Sequence, residues 1–278
     1  MAALTLLSTI GLSRDFGGLR AVDNVDFDLG RGEVRAIIGP NGAGKSTFVG
    51  LICGRMAPTA GRIVFEGRDI TDMRAHERVG LGIAYSFQIT SIYGNLSVFD
   101  NVALAVQSSM WRHGRDGVKR KGVRPLASTA ANSNGSSDAR GLTPSSGARG
   151  LIPTELDRRV GEELERVGLA DRRNAKASAL PYGHQRLLEV AMGLALAPKL
   201  LILDEPTQGL SDAEIASFCD LIRVIAADAT VLLIEHNMDV VMQLAGRITV
   251  MNNGAILSEG TPAEIRADPA VQRAYLGT

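Results

Sequence analysis

One short segment constrains the fold of this chain more than any other. It reads Gly39-Pro40-Asn41-Gly42-Ala43-Gly44-Lys45-Ser46 and fits the pattern G-x-x-x-x-G-K-[ST]. An apolar, strand-like run (34–38) precedes it, and a helix-like run (47–53) follows it. A glycine-rich loop between a strand and a helix can surround a bound phosphate with backbone N–H groups and the helix N-terminus. Lys45 would then hold the β- and γ-phosphates, and the hydroxyl of Ser46 would ligate Mg²⁺.

A second signal lies far downstream, where the apolar run 200–203 ends in Asp204 and Glu205. Ligands bind where parallel strands end at their carboxyl edge. Asp204 would therefore reach Mg²⁺, directly or through water. Glu205, one residue further, would orient and deprotonate the water that attacks the γ-phosphate. Together with the phosphate-binding loop, this pair predicts a nucleotide hydrolase site.

The elements around these motifs alternate. Strand-like runs cover 25–29, 34–38, 62–65, 200–203 and 230–234, and helical patterns cover 97–110, 154–167, 183–196, 212–226 and 238–245. Strands that alternate with helices favour an α/β fold with a mostly parallel sheet and helices on its faces.

The segment 112–150 breaks this pattern. It is rich in Gly, Ser, Ala, Asn and Arg and has almost no large apolar residue. Such a segment buries too little surface to offset its ordering entropy, so we interpret it as a mobile, solvated loop insertion. Its excess of basic residues leaves open a contact with anionic lipid headgroups.

Composition and charge narrow the function classes. The 30 basic and 30 acidic residues balance, so overall charge points to neither nucleic acid nor a membrane surface. The most apolar run, 187–203, contains Glu189, Pro198 and Lys199 and is too short to span a bilayer. The N-terminus lacks the pattern of a signal peptide. Cys53 and Cys219 lack a metal or redox spacing and are interpreted as buried thiols in a reducing compartment.

Further motifs make the chain resemble the ABC ATPase family over nearly its whole length. The loop resembles that family's phosphate loop through Thr47. The other motifs that carry the resemblance, in family order, are Phe16 in Asp15-Phe16-Gly17-Gly18, Gln88 in Ser86-Phe87-Gln88, the signature-like Leu180-Pro181-Tyr182-Gly183-His184-Gln185, and His236 after the strand 231–234.

The resemblance implies a role for each motif. Phe16 would stack on adenine, and Gln88 would ligate Mg²⁺ and join the catalytic core to a helical subdomain. His236 would contact the γ-phosphate, and Gly183 with the helix start after it would donate to the nucleotide on the opposite subunit. The nucleotide-binding set would be Phe16, the loop residues Gly39, Pro40, Asn41, Gly42, Ala43, Gly44, Lys45, Ser46 and Thr47, and Gly183.

The same resemblance implies a P-loop NTPase fold of the ABC type, with a mostly parallel core sheet, an antiparallel β subdomain and a helical subdomain. Residues 1–278 would form a single ABC ATPase domain. Residues 1–95 and 197–278 would form the catalytic core with the β subdomain, and 96–196 the helical subdomain that carries the insert.

Two positions depart from the family pattern. The usual signature has Ser and Gly where this chain has Pro181 and Tyr182, so the serine hydroxyl that would touch the partner subunit's γ-phosphate is missing. Ser211 stands where many family members have an aspartate. Contacts across an ATPase dimer are therefore expected to differ in strength from the family norm.

The run 234–238, the signature with Tyr182 and Gly183, and the C-terminal segments 259–265 and 274–277 resemble the ATPases of branched-chain amino-acid importers, in particular the longer of two paralogues. Related ATPases import urea, amides or other small polar solutes. The resemblance implies ATP and Mg²⁺ as cofactors and a position at the cytoplasmic face of the bacterial inner membrane. It also implies a second ATPase subunit (paralogous or identical), two membrane permeases and, indirectly, a periplasmic solute-binding protein as partners. The segment 89–96 would transmit motion to a permease.

Two other function classes fit the sequence less well. A soluble ABC ATPase acting on ribosomes or DNA usually carries two cassettes or a heptad insertion, and this chain has neither. A GTPase switch would need an Asn-Lys-x-Asp motif, which is absent. The leading prediction is an ATPase subunit that dimerises around ATP and powers solute import through permeases, without a nucleic-acid partner.

Overall fold

The computed structural model describes residues 5–86, 92–113 and 154–276. Its strands, in chain order, are β1 (Thr5–Phe16), β2 (Leu19–Gly30), β3 (Val34–Ile38), β4 (Ala60–Phe65), β5 (Arg68–Asp69), β6 (Ile83–Ser86), β7 (Leu200–Asp204), β8 (Thr230–Ile234), β9 (Arg247–Asn252) and β10 (Ala255–Gly260). Its helices are α1 (Lys45–Ile52), α2 (Ala75–Leu81), α3 (Val98–His113), α4 (Thr154–Arg166), α5 (Tyr182–Leu194), α6 (Asp212–Ile225), α7 (Met238–Leu244), α8 (Pro262–Ala267) and α9 (Pro269–Leu276).

The strands form two sheets. One sheet is antiparallel, with the order β2-β1-β4-β5, and its long hairpin pairs Phe16 with Leu19 at the turn. The other has the order β10-β9-β3-β8-β7-β6, and all its neighbours are parallel except β9 and β10. The predicted α/β class, with a mostly parallel core sheet and an antiparallel β part, is confirmed.

The parallel pairing sets where the motifs lie. Ile234 of β8 is the register partner of Ile37 of β3 on one side and of Asp204 of β7 on the other. The phosphate-binding loop, the Asp204-Glu205 pair and His236 each follow one of these strands. Because parallel strands end at the same edge, the three motifs meet there.

Strand β7 explains why its sequence is a continuous apolar run. Successive side chains of a strand point to opposite faces. Leu201 and Leu203 belong to a core cluster with helices α3, α4, α5 and α6. Leu200 and Ile202 belong to a second cluster, with α1 and the antiparallel sheet. Both faces of the central sheet are covered, as is usual for parallel sheets.

Helices α3, α4 and α5 pack together on the first of these clusters. Helix α3 runs to His113 and so includes Arg112, whereas the sequence pattern assigned both residues to the insert. The boundary differs by the few residues that are usual at a helix end, where the last turn frays. The rest of the insert lies outside the described residues.

The sequence also led to expectations about the two cysteines and about membrane-spanning helices. Cys53 and Cys219 are both buried, as predicted, and burial raises the pKa of the Cys53 thiol to about 12. Within the ranges that the structure describes, no helix combines the length and the apolar character needed to cross a bilayer.

Candidate functional site

The phosphate-binding loop joins β3 to α1, and its glycines are fixed by close backbone contacts. A Cβ atom on Gly39 would lie 2.1 Å from the carbonyl oxygen of Met251, and one on Gly44 would lie 2.2 Å from that of Ala21. Both glycines also have positive φ, at 153° and 97°. The loop is therefore held between the end of β9 and the start of β2, where only glycine fits.

Lys45 begins helix α1, and its ammonium group turns back over the loop. Nζ donates to the carbonyl oxygens of Gly39 at 2.7 Å and Pro40 at 3.1 Å. Burial lowers the pKa of Lys45, against the opposing attraction of the Glu205 and Asp204 carboxylates. An ammonium group has three N–H donors, so a phosphate oxygen in the loop can accept the third.

Asp204 ends β7 with its carboxylate buried. Tyr85 of β6 donates its hydroxyl to Oδ2 of Asp204 at 2.7 Å, and the Arg55 guanidinium lies 5.4 Å from the Tyr85 ring centroid. Burial raises the pKa of Asp204, and the Tyr85 hydrogen bond opposes this shift. Tyr85 was not predicted as a site residue, because its place beside Asp204 depends on β6 pairing with β7.

Glu205 follows Asp204 in a left-handed backbone conformation, with φ of 47°. Its N–H donates to the carbonyl oxygen of Ile234 at 2.8 Å, which ties the end of β7 to the end of β8. Its Oε1 lies 3.9 Å from Nδ1 of His236, an exposed side chain. Such a φ is uncommon outside glycine and is concentrated at functional sites.

The oxygen atoms of Asp204 and Ser46 are ligands of the kind that a magnesium ion prefers. The carboxylate of Asp204, which ends β7, and the hydroxyl of the exposed Ser46, in the first turn of α1 after the phosphate-binding loop, are hard oxygen ligands. Among the described residues there is no cluster of three or more His, Cys, Asp or Glu side chains that could form a metal site without other ligands. Mg²⁺ is usually held by one or two carboxylates together with nucleotide phosphates, and Asp204 and Ser46 could supply the protein ligands of such an ion.

Comparison with known proteins now identifies the family. The profile of the ABC transporter family matches residues 22–208, a range that contains the phosphate-binding loop, Asp204 and Glu205. The chain belongs to the ABC transporter family. It is an ATPase of this family, and a second profile, the branched-chain amino acid ATP-binding cassette transporter, matches residues 255–278.

Individual relatives agree with this assignment. The ABC ATPase is 36% identical to the high-affinity branched-chain amino acid transport ATP-binding protein LivG of Salmonella typhimurium over 274 residues, which is 98% of each chain. It is 34% identical to BraF of Pseudomonas aeruginosa over the same share of each. Among solved structures, it superposes on the ADP conformation of MJ1267, an ATP-binding cassette of an ABC transporter, with a TM-score of 0.77 and 26% identity over 99% of this chain and 100% of that one.

The signature-like segment of this ABC ATPase lies at the start of α5. Pro181 occupies the N-cap position, and the exposed Tyr182 begins the helix. Gly183 is buried, and a Cβ there would lie 2.1 Å from Oε1 of Glu214. Gly183 therefore lies against the Glu214 side chain of α6, a contact that the sequence did not indicate.

Ser211, which departs from the family pattern, caps helix α6. Its N–H and its hydroxyl both donate to Oε2 of Glu214, at 2.9 and 2.7 Å. These hydrogen bonds lower the pKa of Glu214. Serine and aspartate are both favourable at a helix N-cap, so the substitution preserves the start of α6.

Two predicted site residues remain, the adenine-stacking candidate Phe16 and the magnesium-ligand candidate Gln88. Phe16 ends β1 and is 43% exposed, and the Arg14 guanidinium stands 4.6 Å from its ring centroid. The hairpin pairs Phe16 with Leu19, two residues before Ala21, whose carbonyl lies against the phosphate-binding loop at Gly44. Gln88 lies outside the described residues. A buried carboxylate that the sequence analysis did not single out, Glu235, lies between Ile234 and His236.

Replacement of Asp204 by asparagine is expected to raise the melting temperature of the nucleotide-free protein at neutral pH. A raised pKa means that folding disfavours the charged carboxylate, so stability falls as pH rises from the unfolded pKa, near about 3.9, through the folded one. A penalty is therefore present at neutral pH, and asparagine removes it while still accepting from Tyr85. A gain of roughly 2–4 °C would correspond to about 1 kcal/mol.

Differential scanning fluorimetry at several pH values tests this expectation. The gain should shrink as the pH approaches about 4, where the wild-type carboxyl also protonates in the unfolded chain. In addition, ATP with Mg²⁺ should stabilise the wild type and leave the variant nearly unchanged. A variant that melts below the wild type at neutral pH would contradict the assigned cost of this buried charge.

Proposed function

We propose that this chain is the ATP-hydrolysing subunit of an importer for branched-chain amino acids. The observation that carries the choice of solute is the match of residues 255–278 to the branched-chain amino acid cassette profile, which is supported by the likeness to LivG along the whole chain. Two such ATPase subunits, identical or paralogous, sandwich two ATP molecules. They act at the cytoplasmic face of the membrane through two permeases that receive solute from a periplasmic binding protein.

The site residues have separate roles in ATP binding and hydrolysis. Residues Gly39 to Thr47 bind the phosphates, with the Lys45 ammonium neutralising part of their charge. Ser46, Asp204 and Gln88 hold Mg²⁺, which offsets the charge that develops on the phosphate oxygens. Phe16 stacks on adenine, and Gly183 and the start of α5 donate to the nucleotide bound by the opposite subunit.

Glu205 and His236 act on the attacking water and the γ-phosphate. The water oxygen forms a bond to the γ-phosphorus while the bond to the β-phosphate oxygen breaks, and Glu205 accepts the water's proton. His236 orients the γ-phosphate. The 3.9 Å separation of the two side chains supports their action on the same group.

The division into subdomains is part of the proposal. Residues 1–95 and 197–278 form the catalytic core with the β subdomain, and residues 96–196 form the helical subdomain. The packing of α3, α4 and α5 on one core cluster supports this division. The segment 89–96 contacts the permease, which is supported by the exposed side chains of Tyr93 and Leu96 at its described end.

Solute uptake tests the proposed function. Deletion of the gene in its own host should abolish the high-affinity uptake of radiolabelled leucine, isoleucine and valine. The wild-type gene should restore it, whereas Lys45→Ala should not. Uptake of urea and acetamide should be unaffected by the deletion. Loss of urea or amide uptake with normal leucine uptake would assign the subunit to a different importer.

A soluble ATPase that acts on ribosomes or DNA is the second candidate function. The balanced charge of the chain does not favour it, nor does the C-terminal match to an importer cassette. In the uptake experiment it would appear as a growth or translation defect in which leucine transport stays normal.

A further inference from the structure

Glu235 is a buried carboxylate with an unusual set of partners. It is 1% exposed and lies directly after β8. Oε1 accepts hydrogen bonds from the N–H of Thr207 at 3.0 Å and from its hydroxyl at 2.5 Å. Oε2 accepts from the N–H groups of His236 at 3.0 Å and Asn237 at 3.2 Å.

These donors belong to two different loops. Thr207 stands in the loop after β7, which begins with Glu205, and His236 and Asn237 form the loop after β8. Each carboxylate oxygen therefore holds one of the loops that carry the proposed hydrolytic residues. Hydrogen bonds to an ionised acceptor are shorter and roughly twice as strong as neutral ones.

The charge of Glu235 has no cationic partner in the part of the chain that the structure describes. A buried carboxylate is costly unless hydrogen-bond donors replace its lost hydration. Here the donors are loop N–H groups and one hydroxyl. The carboxylate and the two loops therefore stabilise one another in a single arrangement. A displacement of one loop should consequently displace the other.

We infer that Glu235 is a positioning residue for ATP hydrolysis, which fixes the loop of Glu205 relative to the loop of His236. This inference rests on the proposed roles of those two side chains. Glu235 itself does not touch the reacting atoms. It fixes the backbone at the end of β7, where Glu205 begins the loop. Glu205 has a φ of 47° there, and its N–H donates to the carbonyl oxygen of Ile234.

Replacement of Glu235 by glutamine provides the test, because an amide cannot accept hydrogen bonds on both sides. Its NH₂ group can face Thr207 and donate to the hydroxyl, but the Thr207 N–H then loses its acceptor. The loop that carries Glu205 should therefore shift, while the phosphate-binding loop after β3 is untouched. We expect kcat to fall about 10–100-fold with the ATP dissociation constant changed less than about threefold.

Thr230→Val is the matched control. Thr230 is buried at the opposite end of the same strand, where its hydroxyl accepts from the N–H of Gly32 at 2.9 Å. The change removes one buried hydrogen bond on β8 far from the hydrolytic loops. It should lower the melting temperature and leave kcat at 25 °C near the wild-type value. If Glu235→Gln does not fold, Thr207→Val removes only the hydroxyl hydrogen bond and should slow kcat by about threefold.

Single-turnover hydrolysis of radiolabelled ATP by the full chain should be measured for wild type, Glu205→Gln, Glu235→Gln and the double variant. In the Glu205→Gln background, Glu235→Gln should slow the residual rate by less than about threefold, because the group that it positions is gone. Fully multiplicative losses, or a kcat for Glu235→Gln within about threefold of wild type, would overturn the inference. Fast hydrolysis by Glu205→Gln would instead refute the proposed base, whatever Glu235→Gln does.

Discussion

Replacement of Glu205 by glutamine should slow ATP hydrolysis by about 10²–10⁴-fold, the usual contribution of a positioned general base. Glutamine keeps the size and the hydrogen-bonding reach of the side chain but cannot take up a proton at neutral pH. The neighbouring Asp204, Lys45 and phosphate-binding loop remain in place. ATP affinity should therefore stay within about threefold of wild type, so that the loss falls on kcat.

Lys45→Ala is the contrasting variant. In the wild type, the ammonium group of Lys45 lies over the phosphate-binding loop rather than beside the attacking water. Its loss should weaken ATP binding as well as hydrolysis. Isothermal titration with ATP and single-turnover hydrolysis separate the two effects. If Glu205→Gln hydrolyses ATP at nearly the wild-type rate, another base must act, and His236, 3.9 Å away, is the first to examine.

Uncleaved ATP should also hold the Glu205→Gln protein as a dimer, since closure needs the γ-phosphate and reopening needs its loss. Size-exclusion chromatography with ATP and Mg²⁺ would detect this. Pro181 lacks the signature hydroxyl, so the dimer is expected to be weaker than the family norm. The kinetic result is therefore the decisive one.

Replacement of Arg78 by methionine should reduce the free energy of unfolding by about 3–5 kcal/mol, because several buried carbonyl oxygens lose a charged donor and each such loss costs about 1–3 kcal/mol. Arg78 is 1% exposed and donates to four backbone carbonyl oxygens. The acceptors are those of Leu51 at 2.6 Å, Ile52 at 2.8 Å, Thr71 at 2.8 Å and Met73 at 2.9 Å. Burial lowers the pKa of this guanidinium.

Two of these carbonyls lie at the C-terminal end of α1, the helix that follows the phosphate-binding loop. A positive charge there interacts favourably with the helix dipole and adds a donor to carbonyl oxygens at the helix end, of which that of Leu51 also accepts from the N–H of Gly54. Methionine fills much of the same volume but donates nothing, so the carbonyls stay buried without these donors. The loss should therefore be far larger than that of an ordinary surface arginine.

Arg158→Met on α4 is the control, because Arg158 is exposed and its partners among the described residues are Glu155 and Glu162 on its own helix. Exposed pairs of this kind contribute little to stability. Urea unfolding of both variants, monitored by circular dichroism, measures the difference. Similar midpoints for the two variants would show that the buried hydrogen bonds of Arg78 do not stabilise the fold.

The sequence by itself was enough to predict the motifs at the edge of the sheet and the chemistry proposed for them. A glycine-rich loop between a strand and a helix, and an apolar strand that ends in Asp204 and Glu205, are local patterns whose backbone requirements can be derived without a partner. The continuous apolar run of β7 likewise predicts a strand buried on both faces. The motif order then implied the family, which the profile match confirms.

The tertiary structure decided what surrounds these motifs. Tyr85 contacts Asp204 because β6 pairs with β7, Gly183 lies against Glu214 because the first turns of α5 and α6 meet, and Arg78 is buried because α2 lies at the end of α1. Glu235 holds two loops that are joined only through the order of the strands. A single tyrosine, glycine, arginine or glutamate carries no local signal, since its role depends on the long-range strand and helix pairing that places its partners beside it.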